Sequence, residues 1–297
     1  MDLSGPAPAG KNPRLQADPM VADRQCEHLH ARARTHEGGR SGQKVNRGQM
    51  QYAEKFVAFV DILGFSVLVR ESVTPTGKIG LKQLLQALEH PNPAGPDQIV
   101  VGRIGDISKS GHQMSYFSDS VAISTDPTEA GLFHLVNHVE RIALGLLKLG
   151  FLCRGAVTKG LLYHRGNIVV GPALVEAYDL EKNRAKTPRI IVTDEIADAA
   201  FGYAEPVGSL FKGMFCKDED RSRIVNILRT FNYHVDAAIQ GTPLPTWLTD
   251  IQHWLADEIL RLRNAQKEKE CRYVESFKRH FDLMLQPIDE LRQPVSR

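Results

Sequence analysis

Short apolar runs alternate along the chain with longer stretches in which apolar residues return every three or four positions. KFVAFVDIL, beginning at Lys55, is apolar on both faces, as expected of a central strand covered from both sides. Gly64 and Phe65 then turn the chain into a helical stretch, and LKQLLQALEH predicts a second helix stopped by Pro91 and Pro93. HQMSYFS and VAIST read as two strands around Asp119–Ser120, a tight hairpin. From Thr128 to Leu149 apolar residues recur at Leu132, Leu135, Val136, Val139, Ile142, Ala143, Leu146 and Leu147, the stripe of a long amphipathic helix ended by Gly150. LCRGAVT and NIVVG predict strands, ALVEAYDLEKNR a helix, RIIV a strand and DEIADAAF a short helix. SLFKGMFCK and RIVNIL predict a closing pair of strands.

The expected fold is therefore α+β: a mixed sheet with helices over one or both faces. Residues 1–50 show no sustained period and are rich in Gly, Pro, Gln, Arg and His, which predicts a disordered leader. Beyond Asn232 the pattern becomes helical, so 51–232 is the expected catalytic domain and 233–297 a helical C-terminal appendage.

Composition narrows this only slightly. Of 297 residues, 42% are hydrophobic and 24% charged, the profile of a soluble globular chain. A net charge of +2 gives no reason to expect nucleic acid or a membrane surface as partner, and no apolar run is long enough to span a bilayer. No secretory signal is visible, and Cys26, Cys153, Cys216 and Cys271 form no CxxC pair, so a cytoplasmic location is expected, without disulfides or a zinc site.

Two acids carry the candidate chemistry. Asp61 lies near the end of an apolar strand, where a carboxylate costs much desolvation unless a cation or strong donors answer it. Asp119 sits at the hairpin tip in SYFSDSVAIS; an aspartate there is also a common turn residue. A central strand and an adjacent hairpin bring both carboxylates to one sheet edge. Two hard divalent ions shared by two aspartates is an arrangement that serves phosphoryl transfer. The turn after Asp61 offers backbone N–H groups at a helix N-terminus to phosphate oxygens, and Gly64 permits their close approach.

With these residues in view, the chain resembles the class III nucleotidyl cyclases. FVAFVDILGFSVLV is similar to their metal-binding first strand and phosphate turn, and YFSDSVAIS to their second metal-binding hairpin. CRGAVTKG and NIVVGPALVEAYDLE resemble their later strand, turn and helix, so the likeness spans roughly residues 55–230. Within that class it resembles most the pyrimidine cyclases of Pycsar antiphage systems, which make cyclic UMP or cyclic CMP to activate an effector. The resemblance implies a ferredoxin-like palm and Mn²⁺ or Mg²⁺, two ions per site, at Asp61, Ile62 and Asp119. It implies a nucleotide cradle at Phe59, Leu63, Gly64, Phe65, Ser66 and Ser115, and a homodimer with composite sites.

Departures from the purine enzymes shape the expectation. Ser115 stands where those enzymes place a base-reading lysine, and Val175 and Asp179 stand where they place a transition-state Asn and Arg. Phe59 shares a strand face with Asp61, where a bulky ring narrows the base pocket. The missing cation is expected at Arg184, with Lys182, Arg154 and Lys212 as alternatives. His112, His134 and His138 lack ligand spacing and are expected to be partly exposed structural residues. The expected activity is conversion of UTP to 3′,5′-cyclic UMP and pyrophosphate. The alternatives are CTP to cyclic CMP, a degenerate domain that only binds nucleotide, and a polymerase-palm relative, which would use a Gly-Gly-acid hairpin in place of Phe117-Ser118-Asp119-Ser120.

Overall fold

In the computed structural model, residues 51–74, 77, 79–89 and 107–292 are described. The expected leader at 1–50 and the proline stop after the second helix lie outside these residues.

Strand β1 (Ala53–Ile62) is central. Helices α1 (Phe65–Val73) and α2 (Leu81–Glu89) precede the hairpin of β2 (Gln113–Phe117) and β3 (Ser120–Thr125). Helix α3 (Glu129–Lys148) leads to β4 (Cys153–Arg165), β5 (Ile168–Val170) and α4 (Pro172–Asn183). Then follow β6 (Ile190–Val192), α5 (Asp194–Phe201), α6 (Val207–Met214), β7 (Phe215–Lys217) and β8 (Arg223–Val225). Helices α7 (Arg229–Ile239), α8 (Thr246–Asn264) and α9 (Glu268–Arg292) end the chain.

The strands form one mixed sheet in the order β2-β3-β1-β4-β6-β8-β7, with β5 paired to β4 off this path. β1 runs antiparallel to both β3 and β4, and β4 runs parallel to β6. β1, a helical connection, β2, β3, α3 and β4 therefore make a βαββαβ unit with strand order 2-3-1-4, the ferredoxin-like palm. The expected α+β mixed sheet with covering helices and C-terminal helices is the fold observed.

Alternation along β1 separates the two faces of the sheet. Phe56, Ala58, Val60 and Ile62 join Val121, Ile123, Val157 and buried residues of α1, α2, α3, α5 and α6 in the main core. On the other face, among the described residues, β1 and β4 pack chiefly against α4, through small clusters of Val57, Leu162 and Ala173 and of Ala156 and Leu180. Among the described residues one face is thus thickly covered, and the other is left open beyond α4.

Several expectations need correction. SLFKGM is helical rather than extended: Val207, Phe211 and Met214 bury one face at helical spacing, so β7 keeps only three residues. β4 runs on through KGLLYHR because it pairs β1 as far as Leu162, opposite Ala53, and then β5 from Tyr163 to Arg165. α3 is not amphipathic in its first half: every residue from Gly131 to Glu140 is buried, because neighbouring helices cover the side away from the sheet. His134 and His138 are consequently buried rather than partly exposed, and His138 stacks on His112 with Nδ1 2.9 Å from His112 Nε2.

The boundary expected after Asn232 falls inside α7. Phe231 and Val235 of that helix share a second apolar cluster with Leu248, Leu255, Phe277 and Phe281 of α8 and α9 and with Leu147 and Leu152. A buried ion pair, Arg229 to Glu140 at 3.0 Å, also joins α7 to α3. Cys153, Cys216 and Cys271 are free thiols, and among the described residues no helix is long and apolar enough to cross a membrane.

Candidate active site

Strand register assembles the site. On the open face, Phe117 of β2 pairs with Ser120 of β3, Ser120 with Asp61 of β1, and Asp61 with Arg154 of β4. Directly opposed residues have Cβ atoms about 4.5–5.5 Å apart, so this row runs across four strands within side-chain reach. The next row is Ser115, Ala122, Phe59 and Ala156. The Ile62 N–H donates to the Asp119 carbonyl at 2.8 Å, which pins the hairpin tip to the end of β1. Ser118, immediately before Asp119, has φ of 54°, a left-handed conformation more usual for glycine in a two-residue turn. Such strain tends to gather at functional positions, and here it lies next to the residue that carries the second carboxylate.

The electrostatics confirm the proximity. Burial raises the Asp61 carboxyl above its ordinary range, the hydrogen bond and charge of Arg154 lower it, and the charge of Asp119 raises it. Arg154 Nε–H donates to Asp61 Oδ2 at 3.1 Å, and the same Nε lies 2.6 Å from Glu181 Oε1. Glu181 is buried at the end of α4, and burial is the first cause that lifts its carboxyl, with Asp61 and Asp119 adding to the rise. Three carboxylates and one guanidinium therefore occupy one corner of the open face.

This corner suits a hard divalent ion. Its donors are oxygens, two carboxylates repel one another there, and Ile62, whose side chain is in the core, has only its carbonyl to contribute. Among the described residues no three His, Cys, Asp or Glu side chains form a metal cage. An ion here would rest on Asp61, Asp119, backbone oxygen and the substrate's own phosphates, a mode typical of Mg²⁺. The phosphate turn stands beside it: Gly64 is the N-cap of α1 with φ of 78°, and no side chain caps the helix. Among the described residues no side chain is seen to accept from the first-turn N–H groups of Phe65 and Ser66, which leaves them open to an anion. Leu63 and Phe65 themselves pack on the second cluster and the main core, so only their backbone is on offer.

Ser115 is not free to read a base. Its hydroxyl donates to the Gly166 carbonyl at 3.0 Å, and His164 Nε2 lies 2.9 Å from the same oxygen. His164 Nδ1 in turn lies 2.8 Å from Ser124 Oγ, and burial lowers the His164 pKa to about 4, so the ring is neutral. Neutral imidazole then accepts from Ser124 and donates to Ser115, and the single serine proton is already directed at Gly166. A pyrimidine carbonyl needs a donor, which a serine buried in this network does not present.

Arg184 is also placed differently from the other site residues. It is exposed at the C-cap of α4, its Nη2 donates to Ser222 Oγ at 3.2 Å, and its carbonyl accepts from Arg189. The charges acting on Asp61 are those of Arg154 and Asp119. Lys182 is exposed over the Tyr178 ring at 5.6 Å, and Lys212 lies 3.9 Å from Glu205. Of the four expected cations, only Arg154 contacts the acids within one protomer.

Two neighbours escaped the sequence reading. Tyr178 meets Phe59 edge to face at 5.7 Å, making an aromatic wall above the second row. Glu181 continues a stripe of Ala173 and Ala177 at spacing i, i+4, i+8, all buried. An acid that prolongs an alanine stripe was the available signal.

No protein-family model matches the chain, and no curated protein does. Three solved structures to which it is similar are cyclases or are described as cyclase-like. A bacterial light-regulated adenylyl cyclase matches with TM-score 0.34 and 18% identity over 60% of this chain and 53% of that one. The catalytic core of a rhodopsin-guanylyl cyclase with converted specificity, in complex with ATPαS, matches with TM-score 0.33 and 14% identity over 59% of this chain and 93% of that one. A class III adenylyl cyclase-like ATP-binding protein from Pseudomonas aeruginosa matches with TM-score 0.32 and 13% identity over 58% of this chain and 38% of that one. This chain thus spans about half the length of the first. Superpositions this partial carry no weight for activity, which rests on the residues themselves.

Proposed function

We propose that the chain is a nucleotidyl cyclase that closes a pyrimidine ribonucleoside triphosphate, UTP, into its 3′,5′-cyclic monophosphate with release of pyrophosphate. The observation that carries the reading is the register that sets Asp61, at the end of β1, beside the Asp119 hairpin on the open face of a palm. Bound at the two carboxylates, Mn²⁺ or Mg²⁺ would lower the pKa of the ribose hydroxyl and offset charge on the triphosphate. The chain's own parts do the rest. The uncapped first turn of α1 holds phosphate oxygens, Gly64 lets them approach, and the Phe59–Tyr178 wall limits the size of the base.

The pyrimidine choice is supported by the likeness of the two acid motifs to pyrimidine cyclases and by the absence of a lysine at position 115. We do not assign base reading to Ser115, whose proton is engaged elsewhere. CTP is the alternative substrate, since exchange of one carbonyl for an amine separates the two. The product would serve as a messenger for an effector that recognises cyclic pyrimidine nucleotides. Phe117, in the row of Asp61, and Tyr178, against Phe59, are also exposed on this face, which supports a homodimer closed over this side. In such a dimer exposed Arg184 is the candidate cation donated to the partner's site.

The test is incubation of pure protein with equimolar ATP, GTP, CTP and UTP and Mn²⁺, with products identified by mass. Cyclic UMP is expected to dominate. Dominant cyclic CMP overturns only the uracil choice, dominant cyclic AMP or GMP the pyrimidine reading, and no cyclic product the enzyme itself.

A further inference from the structure

The contact geometry of Arg154 is unbalanced in a way that the proposed reaction does not by itself explain. Its Nε carries one hydrogen and lies near two carboxylates. That hydrogen is aligned on Asp61 Oδ2 at 3.1 Å, whereas the shorter approach, 2.6 Å to Glu181 Oε1, lacks hydrogen-bond alignment. Glu181 Oε1 is buried and accepts no hydrogen bond. A buried carboxylate oxygen without a donor is costly, and native structures seldom keep one without a use. A better-satisfied arrangement would turn the guanidinium, already 2.6 Å from Glu181, away from Asp61 to meet Glu181 as a fork. Even with exposed Lys182 near Glu181, one guanidinium among Asp61, Asp119 and Glu181 leaves the corner short of positive charge.

We infer that Arg154 is the resident counter-ion of Asp61 and that Glu181 is a positioning residue, an acceptor held ready to take Arg154 when a divalent ion claims Asp61. This rests on the reading of Asp61 and Asp119 as metal-binding. In the free protein Arg154 neutralises a half-buried carboxylate that would otherwise stand unanswered. On arrival of the ion it withdraws to Glu181, whose oxygen gains the donor it lacked, so Asp61 is released without leaving the half-buried guanidinium unpaired. α4 is suited to the task because Ala173 and Ala177 let it lie close against β4 and β1, which brings Glu181 to within reach of Arg154.

The test is Mn²⁺ binding without nucleotide, with free Mn²⁺ followed by electron paramagnetic resonance, on the full chain and on Glu181→Gln, Arg154→Gln and the double variant. Glu181→Gln is expected to weaken Mn²⁺ binding by about tenfold, the scale of an outer-shell partner of a ligand. Arg154→Gln is expected to strengthen it, and the double variant to bind like Arg154→Gln, because Glu181 acts only through Arg154. An equal loss from Glu181→Gln in both backgrounds, or no loss in either, overturns the inference. If Arg154→Gln fails to fold, Arg154→Lys replaces it; the loss from Glu181→Gln then shrinks, and an undiminished loss overturns the inference. Asp61→Asn is the control for the underlying reading. Mn²⁺ binding that survives it unchanged overturns the metal assignment, and the inference with it, a result separable from the outcomes above.

Discussion

Along β1 the residues on one side of the sheet, Phe56, Ala58, Val60 and Ile62, are all buried hydrocarbon. Those on the other, Val57, Phe59 and Asp61, pass from hydrocarbon to aromatic ring to carboxylate in three steps. The first side lies under several helices and shares one continuous core with them. The second lies under α4, which buries Val57 fully but leaves Phe59 and Asp61 half-exposed as the side chains become polar. The same strand thus supplies stability with one set of residues and chemistry with the other. Packing energy holds the backbone that presents Asp61, while Asp61 itself is buried against its own preference. Substitutions on the two sides should therefore separate activity from stability.

The sharpest separation comes from the acids. Asp61→Asn and Asp119→Asn should each lower cyclic nucleotide formation by on the order of 10³-fold, since each removes several kcal/mol of transition-state charge stabilisation at 1.36 kcal/mol per tenfold. Melting temperature should hold or rise in Asp61→Asn, because burial opposes the charge of that carboxyl. Near-normal turnover in Mn²⁺ for either variant would remove the basis of the metal assignment.

The opposite separation comes from the covered side. Phe133 is fully buried in the main core. Phe133→Ala should cost about 3–5 kcal/mol of folding free energy, read as a lower urea midpoint, through lost transfer energy and the cavity left behind. Activity per folded molecule should persist. Collapse of activity in a sample still folded by circular dichroism would show that the two sides are coupled.

What the sequence disclosed follows the same division. Strands rich in apolar residues announce themselves by pattern, and an acid inside one, Asp61, is conspicuous because burial makes it expensive, whereas Asp119 stood out only by its place at the tip of a hairpin. Register was not, because it depends on which strands pair, and so the Asp61–Arg154 and Ser115–Ala122–Phe59 rows became visible only in three dimensions. Ser115 was placed on the correct face, yet its engagement by His164, about fifty residues away along the chain, left no local trace. SLFKGM was misread because a short apolar run satisfies both strand and helix until its neighbours choose. The histidines of α3 look half-exposed when the helix is assumed to have one wet face, and this helix has none in its first half.

Subunit exchange tests whether the open side is closed by a second copy. Mixing Asp61→Asn with Arg184→Ala should restore part of the activity that each lacks, since a composite site draws its carboxylates from one chain and its cation from the other. A mixed dimer holds one site with both defects and one with neither. Failure to complement, with exchange proven by native mass spectrometry, would place the cation within one protomer and favour Arg154. Phe117→Asp should weaken association in sedimentation velocity, because it sets a charge on the exposed ring beside the site.

The smallest expected effect concerns a feature that both sides share, a histidine kept neutral by desolvation. His164, on the open side, and His138, on the covered side, each have a pKa lowered from 6.5 to about 4, first by desolvation and then by the charge of His112. For His164, Lys55 lowers it further; for His138, Arg141 does, against a backbone hydrogen bond to Leu88. The sign is fixed by linkage: the unfolded chain takes up these protons near pH 6.5, whereas the folded chain resists them until about pH 4. Their contribution to stability is fully present above pH 6.5 and is lost as the pH falls through that window. His164→Gln keeps a neutral polar side chain near Ser115 and Ser124 but removes the titration. Urea midpoints measured from pH 7 down to pH 4 should decline less steeply in the variant, with the remaining slope due in part to His138. An unchanged slope would mean that His164 already exchanges protons with solvent in the folded protein, and that the Ser124–His164–Ser115 network opens readily on that side of the sheet.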